Sequence, residues 1–409
     1  MRSVTESSHT VLVVGGGYAG IMAANRLRSS LSPAEAAAVR ITVISPSAQF
    51  VERVRLHQVA AGSLASAARP LQEMLHGEID VVSGSVTTIE PAAQQVRVTT
   101  PNGTRVLPYD SLVYTVGSMA ALSTPGVAEH SYPLADPNAA SLAQATIAAG
   151  GPGHRIVLVG GGSTGVEAAA EIAEQHPAAQ VTLLSSGPVL GRMRPSAQRD
   201  IRRALDRLGI GIREGARVDR VQSDAVILTD GAIVRFDVCI WAASFAVPQL
   251  AADSGLATDS SGRLLVDECL RSVDYPSIVG AGDAVRVPAS VGAHLRMSCA
   301  AALPLGGTAA DTVLARLRGQ QPRPISIGYV VHCLSLGRKN GYVQLLAADD
   351  RPRRLHVRGP LAARIKEAIV RIAVSGPLKE RSKPRSYWAP HGPRRLTAEP
   401  VSAEAGAIR

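Results

Sequence analysis

The sequence predicts an α/β protein with two parallel-sheet units of one plan and a smaller C-terminal unit. Three observations carry this. Gly15-Gly16-Gly17-Tyr18-Ala19-Gly20 and Gly160-Gly161-Gly162-Ser163-Thr164-Gly165 share the spacing G-x-G-x-x-G. Each is entered through a short β-branched run, Thr10–Val14 and Arg155–Val159, and is followed by an alanine-rich stretch that reads as a helix. The elements after each fingerprint also recur in the same order.

In the first unit, Val39–Ile44 reads as the second parallel strand and ends at Ser45-Pro46. Short strands follow at 79–82, 85–89 and 95–98, and Asn102-Gly103 supplies a hairpin turn. Tyr109–Ser118 reads as a buried strand that ends in a small-residue turn, Thr115-Val116-Gly117. The second unit repeats the scheme. A helix covers 166–175, a strand 180–184, and a further helix carries Ile201, Leu205 and Leu208. A turn falls at Asp230-Gly231, and the unit closes with the strand Asp237–Ala243. After it, Tyr275–Asp283 is a strand running into Gly280-Ala281-Gly282-Asp283. From about residue 322 onward there is no fingerprint, and the spacing predicts a helix over 361–374.

In a strand–turn–helix setting this glycine spacing has a physical meaning. The first Gly makes the tight turn and the second lets backbone approach a pyrophosphate. The third lets helix pack on strand, and the helix N-terminus faces the phosphates. Two such sites in one chain point to two dinucleotides, with electrons passing between them.

Bulk properties narrow the classes. The 409 residues suffice for two or three domains, and 46% hydrophobic with 19% charged residues is a globular composition. No run reaches the roughly 20 apolar residues of a membrane span. The polar start Met1–Ser8 lacks an apolar signal region, so the expected localisation is cytoplasmic. Cys239, Cys269, Cys299 and Cys333 are far apart in sequence, which offers neither a local redox disulfide nor a zinc knuckle, and no metal is expected. Between Arg351 and Arg395, thirteen Arg or Lys stand against two Glu, so the net charge of +10 belongs to this stretch. Residues 351–395 either reach an anionic membrane surface or an acidic partner, or form a solvated end. No nucleic-acid motif accompanies them.

The motifs together resemble the two-dinucleotide-binding-domain flavoproteins of the pyridine nucleotide–disulfide oxidoreductase superfamily. More narrowly, they resemble the type II NADH dehydrogenases. Five segments carry the resemblance in order: the Gly15 fingerprint, Thr115-Val116-Gly117, the Gly160 fingerprint, Trp241-Ala242-Ala243 and Gly280-Ala281-Gly282-Asp283. The resemblance implies two Rossmann-like domains, with an NAD(P)H-binding domain (121–244) inserted in an FAD-binding domain (1–120 and 245–325). A small C-terminal domain would cover 326–409. It implies FAD on Gly15, Gly17, Tyr18, Ala19 and Gly20, with Ser45, Arg53, Val86, Thr115 and Gly117 around it. Gly282 and Asp283 would meet the ribityl side, and Cys299 and Ala300 the flavin ring. NAD(P)H would take Gly160, Gly162, Thr164, Gly165, Ser185, Arg192 and Trp241. Glu167 would stand at the nicotinamide–flavin contact and is the first catalytic candidate. As plain structure, it would stabilise the first helical turn against the macrodipole.

Departures from the family pattern qualify this. The acid that bonds a ribose after each second strand is Ser45 in one unit and Ser185 in the other. No carboxylate there repels a 2′-phosphate, and Arg192 and Arg194 follow, so NADPH is admissible beside NADH. Quinone-reducing relatives carry Gln residues on the helix at the flavin's far face. Here the run 298–306 has none, and Cys299 reads as a packing thiol. Residues 50–58 either bring Arg53 or Arg55 to the pyrophosphate or flavin and His57, the second catalytic candidate, to the acceptor as a proton donor, or form an amphipathic helix with surface arginines and a satisfied His57. Leu361, Ile365, Ala368, Ile369 and Ile372 recur at helical spacing. They mark an in-plane membrane helix, a core-packing helix or a homodimer contact.

The resulting expectation is an FAD-dependent NAD(P)H oxidoreductase that passes a hydride to flavin and two electrons to a quinone-like or other small organic acceptor. The alternatives are a reductase serving a carrier protein or biosynthetic intermediate, and a flavin-based redox sensor.

Overall fold

The computed structural model describes residues 9–393, so the polar start and Arg394 and Arg395 of the basic run lie outside the described residues. The β-branched run before the first fingerprint is strand β1 (His9–Val14), and Val11 to Val14 are buried, as a central parallel strand requires. Helix α1 (Tyr18–Ser30) returns the chain to β2 (Val39–Ser45), which pairs with β1 in parallel, Val13 opposite Val43. Strand β3 (Asp80–Ser83) extends the sheet beyond β2, and β4 (Ser111–Tyr114) lies on the other side of β1.

The second sheet has the same order. Its central strand is β5 (Arg155–Val159), followed by helix α2 (Ser163–Gln175) and then β6 (Gln180–Leu184) and β7 (Gly211–Arg213) on one side. Strand β8 (Val238–Trp241) takes the place that β4 holds in the first sheet. The outer edge is Tyr132–Pro133 in the second sheet. In the first sheet that edge is β9 (Ile278–Gly280), which arrives only after the whole second sheet has been built. The second unit is therefore inserted in the first. The chain leaves and re-enters as a two-stranded antiparallel ribbon, Met119–Ala120 against Phe245–Ala246.

Each unit also carries a three-stranded antiparallel meander: Ser85–Glu90, Gln95–Thr100 and Gly103–Pro108 in one, and Val218–Val221, Ala225–Leu228 and Ile233–Arg235 in the other. The Asn102-Gly103 and Asp230-Gly231 turns fall between the last two strands of each, as the sequence predicts.

Helix α3 (Cys299–Leu317) packs along α1 at close range. A Cβ on its Gly306 would come within 2.2 Å of the Ala19 carbonyl oxygen. The C-terminal unit is an antiparallel sheet of β10 (Val331–Ser335), β11 (Gly341–Leu346) and β12 (Pro352–Arg358), followed by helix α4 (Pro360–Glu380).

The basic stretch is therefore not a free tail; most of it is strand and helix. Helix α4 is pinned to α1 by a buried ion pair. Arg26 donates to both carboxylate oxygens of the fully buried Glu380, at 3.0 and 2.8 Å. Glu380 also accepts the backbone N–H groups of Arg385 and Tyr387. Beyond it the chain runs back along residues 326–328, with Gly328 N–H donating to Pro390 O at 2.8 Å.

Of the three readings of the apolar stripe on α4, core packing does not hold at its two ends. Leu361 and Ile372 are exposed, and the buried face is Ala362, Val370, Ala373, Val374 and Gly376. Small side chains win that face because α1 and the C-terminal sheet approach too closely for Leu or Ile. Among the described residues, no helix is long and apolar enough to cross a membrane.

Candidate active site

The two fingerprints fold as near copies. Gly15 and Gly160 have φ of +115° and +130°, which side-chain-bearing residues avoid. A Cβ on Gly15 would lie 2.2 Å from Thr115 O, and one on Gly160 would lie 2.6 Å from Ala242 O. The Thr115 and Trp241-Ala242 segments are thus the walls pressed against the two turns. Around Gly17 and Gly162 the space is open, with nothing within 4 Å of an added Cβ. Both are N-caps with no side chain bonded to the first amides of α1 and α2. Each helix therefore presents unpartnered N–H groups and its positive end to an open cradle, which fits a pyrophosphate at both sites. Tyr18 and Ala19 are buried in the first turn of α1, and Thr164 is half-buried in that of α2.

Ser45 ends β2 and Ser185 follows β6, both buried, against Gly16 and Gly161 respectively. Arg192 is exposed. Trp241 is buried and donates its indole N–H to Ala121 O at 3.1 Å.

On the first site, Thr115 Oγ1 donates to Val14 O at 2.9 Å and to Gly15 O at 3.1 Å, locking the turn. Arg53 donates to Ser118 O at 2.7 Å, and the Ser118 hydroxyl donates to Asp283 Oδ2 at 2.7 Å. Burial lowers the Arg53 pKa, and Asp283 opposes that loss. Arg53, Ser118 and Asp283 thus form one unit beside Gly117 and Gly282.

Of the two readings of 50–58, the amphipathic helix does not form: the segment is a short strand (Gln49–Val51), a 3-10 turn (Arg53–Arg55) and a helix that starts only at Leu56. This breaks the helical register and turns Arg53 inward. An open pocket lies beside Asp283, bounded by Gly282, Met297, Ala301 and Leu305. Cys299 opens α3 with Ala300 exposed next to it, and burial pushes the Cys299 thiol up to about 11, leaving it uncharged at neutral pH. Val86 is half-buried on its meander strand. The Tyr18 hydroxyl is buried without a protein partner beside this site.

The titratable cluster lies where the two units and the C-terminal unit meet. Glu167 Oε1 accepts from Ser335 N at 2.9 Å, Ser335 Oγ at 3.1 Å and Lys366 Nζ at 2.9 Å. Its place is the second turn of α2, which begins at Ser163, so the first-turn macrodipole role does not apply. Burial works against its ionisation, yet Lys366, His57 and the Ser335 N–H hold its pKa below the ordinary carboxylate value. Burial likewise pulls Lys366 down, and Glu167 more than restores it, so the ammonium is held above its ordinary value.

His57 lies 3.4 Å from Ser335 Oγ, and burial lowers it to about 4. His332 bonds Ser163 Oγ at 2.8 Å and is lowered to about 4 by the same cause. At neutral pH the cluster therefore holds one carboxylate, one ammonium and two neutral imidazoles.

Sequence reading finds Glu167 and His57 but misses Lys366, Ser335 and His332 as site residues. A signal exists for Lys366: it lies four residues after Ala362 and four before Val370, on the buried face of α4.

The family model described as pyridine nucleotide-disulphide oxidoreductase matches residues 9–298. A NADH dehydrogenase-like protein of Mycobacterium tuberculosis is 31% identical over 347 residues, covering 80% of this chain and 85% of the relative. A type II NADH:quinone oxidoreductase of the same organism is 26% identical, covering 70% and 68%. Among solved structures, the sulfide:quinone oxidoreductase of Aquifex aeolicus superposes with a TM-score of 0.76 at 18% identity, covering 92% and 93%. NDH2 from Plasmodium falciparum in complex with NADH gives 0.75 at 13% identity, covering 94% and 99%. At such identities these structures speak for the fold.

Proposed function

The chain belongs to the pyridine nucleotide-disulphide oxidoreductase family, and from that premise we propose that it is an FAD-dependent NAD(P)H oxidoreductase whose electrons go to a quinone-like or other small organic acceptor. One observation carries this most directly. Two open, uncapped helix N-termini flank a buried Glu167–Lys366 pair that is drawn from separate parts of the chain.

When bound, FAD supplies the two-electron relay between nicotinamide and acceptor. The chain's own residues bind, orient and exclude water. The amides that follow Gly17 would hold the FAD pyrophosphate. Asp283, fixed by Ser118 and Arg53, would take a ribityl hydroxyl. The amides that follow Gly162, with Thr164, would hold the nicotinamide dinucleotide. Glu167, locked by Ser335 and Lys366, would orient the carboxamide end, and Lys366 is the proton-bearing cation bonded to it. His57, being neutral, can pass a proton on but holds no extra one at neutral pH. Among the described residues the four cysteines are free, so the chemistry assigned here uses no dithiol.

The experiment is direct. The purified protein is expected to be yellow, to bleach anaerobically with NADH or NADPH, and to turn over menadione at more than about 1 s⁻¹. A colourless preparation that flavin does not reconstitute would overturn the reading, whereas a yellow protein that is reduced once and then stops is a sensor. For the nucleotide, Ser185→Asp is expected to lower kcat/KM with NADPH by about tenfold relative to NADH, because a carboxylate would then face the 2′-phosphate. An unchanged NADPH/NADH ratio would place the adenosine ribose away from Ser185.

A further inference from the structure

We propose, resting on the oxidoreductase reading above, that Glu171 is a proton relay joining solvent at Ser63 to the Glu167–Lys366 cluster. The stoichiometry requires such a route. A quinone-type acceptor takes two electrons and two protons to become a quinol, while NAD(P)H gives a hydride, which is two electrons and one proton. One further proton must come from solvent in each turnover.

Helix α2 carries an unusual group for this task. Apart from Glu167 its buried residues are small or apolar, yet Glu171 is fully buried among them. Glu171 Oε1 accepts from Ser63 Oγ at 2.5 Å, and Ser63 is exposed to water. Its Oε2 is buried and has no partner. The Arg338 guanidinium is 3.7 Å from Oε1, beyond hydrogen-bond range, and leans also toward Glu367 at 3.5 Å.

A fully ionised carboxylate is costly in such a position, and a group that exchanges its proton is not. Burial raises the Glu171 pKa, with Ser63 and Arg338 opposing. The other charges facing it are Glu167 and Glu174 on its own helix, which raise it further. Glu167 is one helical turn away on the same face, and beyond it lie Ser335, Lys366 and His57. The Ser63 hydroxyl and the Glu171 carboxyl thus carry exchangeable protons from the surface to within one helical turn of Glu167, whose ionised carboxylate is the accepting end of the route.

The test uses two acceptors on the holoenzyme. Ferricyanide takes electrons without a proton, and menadione requires one. Glu171→Gln keeps the shape and the Ser63 bond but has no transferable acid. It is expected to slow menadione reduction by about tenfold, to flatten that reaction's pH profile, and to leave ferricyanide turnover within twofold of wild type. Ser63→Ala, at an exposed position, is expected to give a smaller loss with the same split, and it carries the test if Glu171→Gln does not fold. Equal slowing with both acceptors, or with neither, would overturn the relay while the oxidoreductase reading stands. A wild-type protein that reduces neither acceptor would remove that reading and the relay with it.

Discussion

Replacing Lys366 with Met is expected to cut acceptor turnover by about 100-fold and to lower stability by about 3–5 kcal/mol. The reason is the position of Glu167, which is buried with Lys366 as its one cationic partner at hydrogen-bond range among the described residues. Without the ammonium, the carboxylate keeps only the Ser335 hydroxyl and N–H.

The loss has a definite pH dependence. In the wild type, Glu167 lies below its unfolded value, so its contribution is present above about pH 4.5 and is lost as pH falls through the lower folded value. Lys366 lies above its unfolded value, so its contribution is complete below about pH 10.5 and is lost only as pH rises through the higher folded value. The pair therefore holds across the neutral range. In Lys366→Met, burial outweighs the Ser335 N–H and His57 that remain and is expected to lift the Glu167 pKa above the unfolded value, so the penalty is full at pH 8 and shrinks toward pH 5. Urea unfolding of the holoprotein at both values measures this. Adding Glu167→Gln to Lys366→Met is expected to restore most of the stability and none of the turnover. A single variant as stable as wild type at pH 8 would show that the pair carries no weight.

Legibility in the sequence followed locality. The fingerprints, their strands and the Asn102-Gly103 and Asp230-Gly231 turns are set by neighbouring residues, and the structure has them where the spacing predicts. The walls at Thr115 and Trp241 were legible too, because they repeat at matching places in the two units. What failed depended on distant packing. A helix over 50–58 has the local pattern in its favour, yet Arg53 turns inward to Ser118, which bonds Asp283, and these partners come from distant parts of the chain. On α4 the spacing of the large apolar residues leaves membrane, core and dimer readings open, whereas the core face is Ala362, Val370 and Ala373, selected by the close approach of α1. That face, and Lys366 with it, is not marked by the large side chains. A lysine among small residues at i±4 is a better sign of a buried, paired charge than a lysine beside leucines, where it usually snorkels.

The third glycine of each fingerprint allows the two halves of the site to be separated, and here the expected effects are large. A Cβ at Gly20 would sit 1.9 Å from Gly15 O, and one at Gly165 would sit 1.9 Å from Gly160 O. Neither clash is with a side chain that could swing away. In each case the helix must lift from its own turn by more than a close-packed core tolerates.

Gly20→Ala also crowds Thr115 Oγ1 at 2.9 Å, and it moves α1 where α1 meets Gly306 of α3. That variant is expected to lose flavin, purifying colourless or nearly so, with stability lower by about 1–3 kcal/mol or more. Gly165→Ala has Leu183 as its next neighbour at 3.6 Å, so the distortion stays within the second unit. It is expected to purify yellow and to bleach normally with dithionite, with an apparent KM for NAD(P)H raised by about 100-fold through loss of the aligned α2 amides. Absorption spectra and anaerobic titrations of the two variants side by side check the assignment. A yellow Gly20→Ala together with a colourless Gly165→Ala would mean that the fingerprints have exchanged roles, with flavin seated on the inserted unit.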